Sequence, residues 1–402
     1  MRIHRVKEGE SLKDIAASYG TTERYIEICN ELREGEEPST GEELLILTPT
    51  RTYKARFDDS MTRVSLRFGV PVGELYRMNP HIAGDELREG EFVAVRRDER
   101  PYGLGAANGI YYKGCSMEKL RRAMHYCTYI TVGAGVYDGE NSYECFDGGE
   151  IVKLALENGK LPLIRVYDKS NGNYCGNKEK RKKYIDGLIY LAMRGGYRGI
   201  LLARRDFQAG YEEFLVELRG RMIGLDLILI SEICGESPIG ISDFSDGAIL
   251  SCDKYFSAQG ADMSFEDFEA RMLTDFANLG EATKTFIELP TFAVAGGGDF
   301  IDSSEALHLA RVRGAVTEKN EKAEICSFAD KRYGSIRYNS LNSIKRRLDL
   351  GAELGYMGIS FDIGRCPLSY LLIYDALFKS VGYANVEKRV RCNPDSAETE
   401  RV

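Results

Sequence analysis

The first hundred residues repeat themselves, and this constrains the chain more than any other feature. Val6-Lys7-Glu8-Gly9-Glu10-Ser11-Leu12 is followed 49 residues later by Ala55-Arg56-Phe57-Asp58-Asp59-Ser60-Met61. The same offset carries Tyr19-Gly20 onto Phe68-Gly69 and Asn30 onto Asn79. Leu44-Leu45-Ile46-Leu47 closes the first copy and Phe92-Val93-Ala94-Val95 the second. A fixed period of this kind marks one supersecondary unit used twice. Each copy predicts a short strand, a helix opened by Ser11 or Ser60, a second short helix ending near Asn30 or Asn79, and a closing strand. The serines precede Leu12-x-x-Ile15-Ala16 and Met61-x-x-Val64-Ser65, where a hydroxyl can accept from an orphan N–H of the first turn. Gly20 and Gly69 stand where a left-handed residue stops a helix. A unit of ~45 residues has little core of its own. The short linker Pro49-Thr50-Arg51 keeps the copies close, and two copies on one chain raise avidity for a polymer.

This β-α-α-β pattern resembles the LysM module, on Val6-x-x-Gly9-Glu10-Ser11-Leu12, Tyr19-Gly20, Asn30 and the terminal Leu-Ile-Leu strand. The likeness covers residues 3–47 and 52–96, with Asp58 in place of the usual glycine in the second copy. It implies binding of glycans built on N-acetylglucosamine, such as peptidoglycan and chitin. It also implies a sugar lying between the loop after the first strand and the loop before the last. By position those loops are Gly9-Glu10-Ser11 with Leu32-Arg33-Glu34, and Asp58-Asp59-Ser60 with Pro80-His81-Ile82. The same residues read equally as caps and turns around a small core.

Beyond a boundary at Arg97-Asp98-Glu99-Arg100-Pro101, short apolar runs alternate with amphipathic helical stretches, which argues for βα units and a parallel sheet. Strands are expected around Gly103–Ala107 and at Tyr129–Val132, Leu163–Tyr167, Gly199–Leu202, Leu227–Ile230, Ala248–Ser251, Phe286–Leu289 and Met357–Phe361. Helices are expected at Glu212–Met222 and Ser340–Gly351, among others. Eight strands over this length fit a (β/α)8 TIM barrel better than an open doubly wound sheet, and no G-x-G-x-x-G follows a strand. Gly296–Arg332 has no clear strand and helix order and reads as a loop insertion between strands 7 and 8. The predicted fold class is thus α/β: two small βααβ domains (residues 1–49 and 50–98), a barrel over 102–384, and a polar, disordered tail over 385–402.

The barrel resembles glycoside hydrolase family 18, the chitinase-like barrels, and the order of parts resembles the spore-cortex-lytic branch with two LysM modules in front. The matching pieces are Gly195-Gly196-Tyr197-Arg198-Gly199-Ile200, Ser245-Asp246-Gly247-Ala248-Ile249-Leu250-Ser251-Cys252-Asp253, and Leu354-Gly355-Tyr356-Met357-Gly358-Ile359-Ser360-Phe361-Asp362-Ile363-Gly364. The resemblance implies D-x-x-D-x-D-x-E on strand 4. The final glutamic acid would protonate the glycosidic oxygen, and the aspartate two before it would orient the acetamido nucleophile. Residues i and i+2 face one side of a strand, so both carboxylates would point at the sugar. Here the segment is Gly199-Ile200-Leu201-Leu202-Ala203-Arg204-Arg205. Its register places Arg198 and Ala203 at two of the aspartates and Arg205 at the acid. Arginine cannot serve as a general acid at neutral pH, and loss of that role alone removes roughly 10²–10⁴ in rate. Asp206 is one residue away and faces the opposite side unless a bulge intervenes. Cys252 stands at the family's substrate-binding tyrosine, Asp253 survives beside it, and Phe361 takes the place of the tryptophan that floors the N-acetyl subsite.

Other carboxylates fall at strand ends, where barrel sites sit: Asp168, Glu232, Asp253, Glu288 and Asp362. A relocated acid/base pair would draw on Glu232, Asp253, Glu288 or Asp206. Alternatively these groups pair with Arg165, Arg204, Arg205 or Arg365. An arginine-lined mouth would suit an anionic ligand such as the lactyl carboxylate of muramic acid.

Composition narrows the partners. The formal charge of -8 is the wrong sign for a non-specific nucleic-acid or anionic-membrane binder. No apolar run approaches the roughly 18 residues of a membrane span. Met1–Glu8 carries basic residues with no apolar segment behind them, so synthesis without an export signal is expected. Ten cysteines without a Cys-x-x-Cys pair, and four scattered histidines, predict reduced thiols and neither metal nor cofactor. The expected partner is an N-acetylglucosamine glycan, peptidoglycan above all. The setting in a spore cortex or coat, with coat or cortex proteins as further partners, comes from the resemblance alone. Two rival readings stay open: hydrolysis through relocated carboxylates, and a structural coat component using its many tyrosines and cysteines for cross-links.

Overall fold

The computed structural model describes residues 1–99, 101–138, 142–144, 146–170, 172–204, 207–234, 240–251 and 264–380. Both repeats form as expected. The first is β1 (Arg2–Arg5), α1 (Leu12–Tyr19), α2 (Glu23–Cys29) and β2 (Glu43–Ile46). The second is β3 (Arg51–Lys54), α3 (Met61–Phe68), α4 (Val72–Met78) and β4 (Phe92–Arg96). In each, the outer strands pair antiparallel. Ser11 and Ser60 accept from the N–H groups of Asp14 and Arg63, both at 3.2 Å. Gly20 and Gly69 end their helices in the left-handed region, at φ 64° and 66°.

The 49-residue offset holds even where residue identity does not. Arg2 lies over the Tyr19 ring, Tyr19 meets His4 edge to face, and His4 bonds Glu10. One period later, Arg51 lies over Phe68, Phe68 meets Tyr53 edge to face, and Tyr53 bonds Asp59. The buried asparagines also match. Asn30 donates to the carbonyls of Ile26 and Leu45 and accepts from the Leu45 N–H. Asn79 does the same with Leu75 and Ala94. Each amide ties the second helix to the closing strand in place of a longer core.

The barrel follows. Its eight parallel strands are β5 (Gly103–Tyr111), β6 (Tyr129–Tyr137), β8 (Leu161–Asp168), β9 (Gly199–Arg204), β10 (Ile228–Ile233), β11 (Gly247–Leu250), β12 (Thr285–Glu288) and β18 (Gly358–Asp362). Pairing of β18 and of β6 with β5 closes the ring. At the closure Gly358 is obligatory, because a Cβ there would stand 1.7 Å from the Ala106 carbonyl oxygen. The helices are α5 (Met117–Met124), α6 (Gly149–Glu157), α7 (Lys178–Arg194), α8 (Tyr211–Ile223), α9 (Phe265–Leu279), α11 (Leu341–Leu354) and α12 (Leu368–Leu377). Two short strands extend the sheet: β7 (Ser142–Glu144), antiparallel to β6, and β19 (Phe378–Ser380), parallel to β5.

The expected loop insertion between strands 7 and 8 is instead an ordered unit. Strands β13 (Phe292–Val294), β14 (Phe300–Asp302), β15 (Glu318–Asn320), β16 (Ile325–Asp330) and β17 (Gly334–Asn339) form an antiparallel sheet backed by α10 (Ser303–Arg313). Its strands are three to six residues long, too short to show a period, so only pairing reveals them.

The modules are built into the barrel. Glu31 accepts from the Leu368 N–H at 2.8 Å, at the start of α12, and pairs with Arg122 of α5. Buried Arg311 of α10 pairs with Glu42 and Glu36 and also donates to the Asn30 carbonyl. The chain is pinned at the boundary that begins with Arg97, because Arg97 and Arg77 both pair with Asp375 of α12. A single apolar cluster runs from Tyr25 and Leu45 through Leu75 and Val93 into the barrel.

Candidate functional site

Alternation along the barrel strands decides what reaches the mouth. On β9, Leu201 and Ala203 belong to the inner cluster with Leu163, Ile230 and Phe286. Arg204 therefore points the other way, into the layer between barrel and helices. There it bonds Asp168 and, at 2.7 Å, Tyr174, over the ring of Tyr211. Asp168 is thus a buried structural partner and not a mouth residue, contrary to its strand-end position. The described part of β9 brings no carboxylate into the lumen. Arg205, Asp206, Cys252 and Asp253 lie outside the described residues.

The lumen changes character upward. Asn108 donates to Ser360 and accepts from Thr131 in mid-barrel. Above them Arg165 binds Glu232 through two bonds of 2.6 Å, and Glu232 sits in register beside Ala203. Burial alone would lower the Arg165 pKa, but the Glu232 carboxylate overrides this and holds the guanidinium charged. Of the arginines named for the mouth, Arg165 and Arg204 pair with acids and Arg365 lies between Asp302 (3.3 Å) and Asp362 (3.5 Å), in line with the pairing alternative, while Arg205 lies outside the described residues.

A cleft of about 630 Å³ opens at the mouth. Tyr112, Glu288, Phe292, Asp302, Asp362 and Arg365 carry its chemistry. Ser251 donates to Glu288 at 2.6 Å. Burial raises the Asp362 carboxyl above the ordinary range, against the pull of Arg365 and the Gly364 N–H. Burial, helped by Asp362, also pushes the Cys115 thiol up to about 11, so this cleft residue is not a thiolate at neutral pH.

Phe361 does not floor this cleft. It is fully buried in the helix-facing core with Leu120 and Leu371. One step along β18, Asp362 faces the mouth, so a carboxylate stands where a stacking ring was expected. The sequence reading missed Tyr112 because β5 runs four residues past its expected end, and missed Phe292 and Asp302 because they arrive on the insertion sheet.

In the modules, Glu10 accepts from the Lys7 N–H and Asp59 from the Arg56 N–H, each besides its aromatic partner. Those bonds hold both carboxyls below the ordinary range. Gly9 and Asp58 share the left-handed conformation, so the loop keeps its shape without the second glycine. The Asp58–Ser60 loop is stitched to Asp85–Leu87, through Met61 N–H to Asp85 and Leu87 N–H to Asp59. Pro80, His81 and Ile82 instead line a separate cavity with Leu32 and α5, while Arg33 is exposed.

Among the described residues, no three His, Cys, Asp or Glu side chains gather to hold a metal, and no helix is long and apolar enough to cross a membrane. All seven described cysteines are free thiols.

Residues 4–46 and 53–95 match the LysM domain. The whole fold is similar to that of the spore cortex-lytic enzyme SleL of Bacillus cereus, at 17% identity, TM-score 0.71, and coverage of 95% of this chain and 99% of that one. SleL of Bacillus megaterium gives 16%, 0.70, 94% and 98%. A class V chitinase from Pseudomonas fluorescens matches 68% of this chain and 99% of its own, at 13% identity and TM-score 0.59. No curated protein matches the chain by sequence. The chain therefore carries two LysM domains before a barrel whose fold is similar to that of the chitinase.

Proposed function

We propose that the protein binds N-acetylglucosamine-containing cell-wall glycan through its LysM domains, and that its barrel holds glycan without hydrolysing it. A spore cortex or coat is the setting this reading favours, by analogy with the two SleL enzymes. The observation that carries it is strand β9. Its lumen-facing Ala203 stands where the resemblance would have the orienting aspartate, and the sequence puts Arg205 at the position of the acid. The nearest acid in register, Glu232, is committed to Arg165. Without a proton donor and an acid to orient the acetamido group, the substrate-assisted route is closed. A wide polar cleft with Tyr112 and Phe292 in its wall remains suited to a sugar.

A hydrolytic alternative rests on one observation: Glu288 and Asp362 share the cleft, and burial favours a protonated Asp362. It would draw on these two, not on Glu232.

The test incubates the whole protein with insoluble peptidoglycan and with soluble muropeptides. Pull-down without released products is the expected result. Product release that disappears in Glu288→Gln or Asp362→Asn would overturn the non-hydrolytic reading.

A further inference from the structure

The loops expected to cradle sugar within each module do not all line one groove per module. Leu32 of the first module and Pro80, His81 and Ile82 of the second meet across a cavity of about 350 Å³. Helix α5 of the barrel closes its third side. Neither the Gly9–Ser11 loop nor the Asp58–Ser60 loop takes part, so this cavity is distinct from a groove inside either module. It exists only because two modules and a barrel are docked together.

Its walls are held in place. Glu31 ties Arg122 of α5 to the start of α12, with the Leu368 N–H at 2.8 Å. Tyr76 stacks on His125 at 4.5 Å with an interplanar angle of 8°. Tyr25 of the first module donates to the Met78 carbonyl of the second, and Tyr126 of the barrel to the Arg77 carbonyl. A pocket fixed in this way needs little ordering when a ligand enters.

The lining is divided. Ile28, Leu32, Ile82 and Ala83 give an apolar wall, and Glu118 and Arg121 give a polar rim. Among the described residues Arg121 has no ion pair, whereas Arg122 is committed to Glu31 and Arg24 to Glu27. Burial lowers the pKa of His81 and, helped by Lys160 and Arg77, takes His125 down to about 4, so both imidazoles are uncharged at neutral pH. The charged groups balance, which favours a neutral ligand. An apolar wall facing a hydrogen-bonding rim fits a neutral N-acetylated hexosamine, with its acetyl methyl on the wall and its hydroxyls on the rim.

We infer that this three-way cavity is a composite glycan site that takes an N-acetylhexosamine unit and joins both modules to the barrel in one binding surface. The inference rests on the glycan-binding function proposed above and specifies where part of that binding occurs.

Titration of the whole chain with N-acetylglucosamine trimer, followed by calorimetry and by NMR of the histidine rings, tests it. Arg121→Ala should weaken this site about tenfold, the worth of a charge-assisted hydrogen bond. Ala83→Trp, which fills the mouth from an exposed position, should lower the number of trimers bound by one and abolish the ligand-induced shifts of His81 and His125. Circular dichroism shows whether each variant is folded. Trimer binding that both folded variants leave unchanged would overturn the composite site while leaving the glycan-binding function standing. A wild-type chain that binds neither trimer nor peptidoglycan would overturn both.

Discussion

Arg165 on β8 holds Glu232 on β10 through two parallel bonds, each 2.6 Å, across the lumen face of β9. The pair occupies the level of the Ala203 methyl, with Glu232 in register beside it. Glu232→Ala would leave a buried guanidinium without its partner, at a cost of about 3 kcal/mol. Urea unfolding measures that loss, and glycan binding by the folded fraction should stay as in the wild type. If the variant stays fully stable, the pair is not the brace described here.

The twin asparagines make a matched prediction. Asn79→Ala takes the side-chain partner from the Ala94 N–H and carbonyl inside the second module, while the Leu75 carbonyl keeps the backbone N–H of residue 79, which should cost about 3 kcal/mol. Asn30→Ala should cost the same within about 1 kcal/mol, since its three partners stand at the same offset. Denaturant midpoints of the two variants test the equivalence.

Removing the modules should not yield a well-behaved barrel. Helix α12 buries nine of its ten residues, and the tenth, Asp375, has Arg77 and Arg97 as its ion partners. A chain starting at residue 101 exposes that apolar helix and strands its acid, so it should bind a hydrophobic dye and aggregate. Arg311→Ala, in the intact chain, should cost about 3 kcal/mol and speed proteolysis of the first module.

Asp362 sets a pH dependence. Its carboxyl is raised by burial, so the folded state holds the proton more tightly than the unfolded chain does. Stability contributed by this group falls as pH rises from the unfolded value through the folded one, then levels off. Asp362→Asn keeps an acceptor for the Gly364 N–H and removes the buried charge. It should raise Tm at pH 7 and show no such gain at about pH 3, where the wild-type group is neutral in both states. Thermal scans at the two pH values decide it.

Much of this was legible beforehand. Ser11, Ser60, Gly20 and Gly69 act within one or two helical turns, and the eight barrel strands fell within a few residues of their expected positions. The site was read less well. Phe361 and Asp362 are neighbours in sequence, and only strand pairing settles which one faces the mouth. Asp168 and Arg204 look like mouth residues by position, yet both turn outward into the helix layer.

The amino-acid sequence by itself determined the repeat, its caps, the strand order and the absence of acids from Gly199–Arg205, because these depend on neighbours at fixed short spacings. Only the tertiary structure decided that Arg165 meets Glu232, that five short strands build a sheet beside the mouth, and that the modules share a cavity with α5. Those outcomes depend on strand stagger, barrel closure and docking between residues as much as 337 positions apart, as Glu31 and Leu368 are. No local pattern carries that information, because burial and pairing at such range follow from how whole surfaces fit.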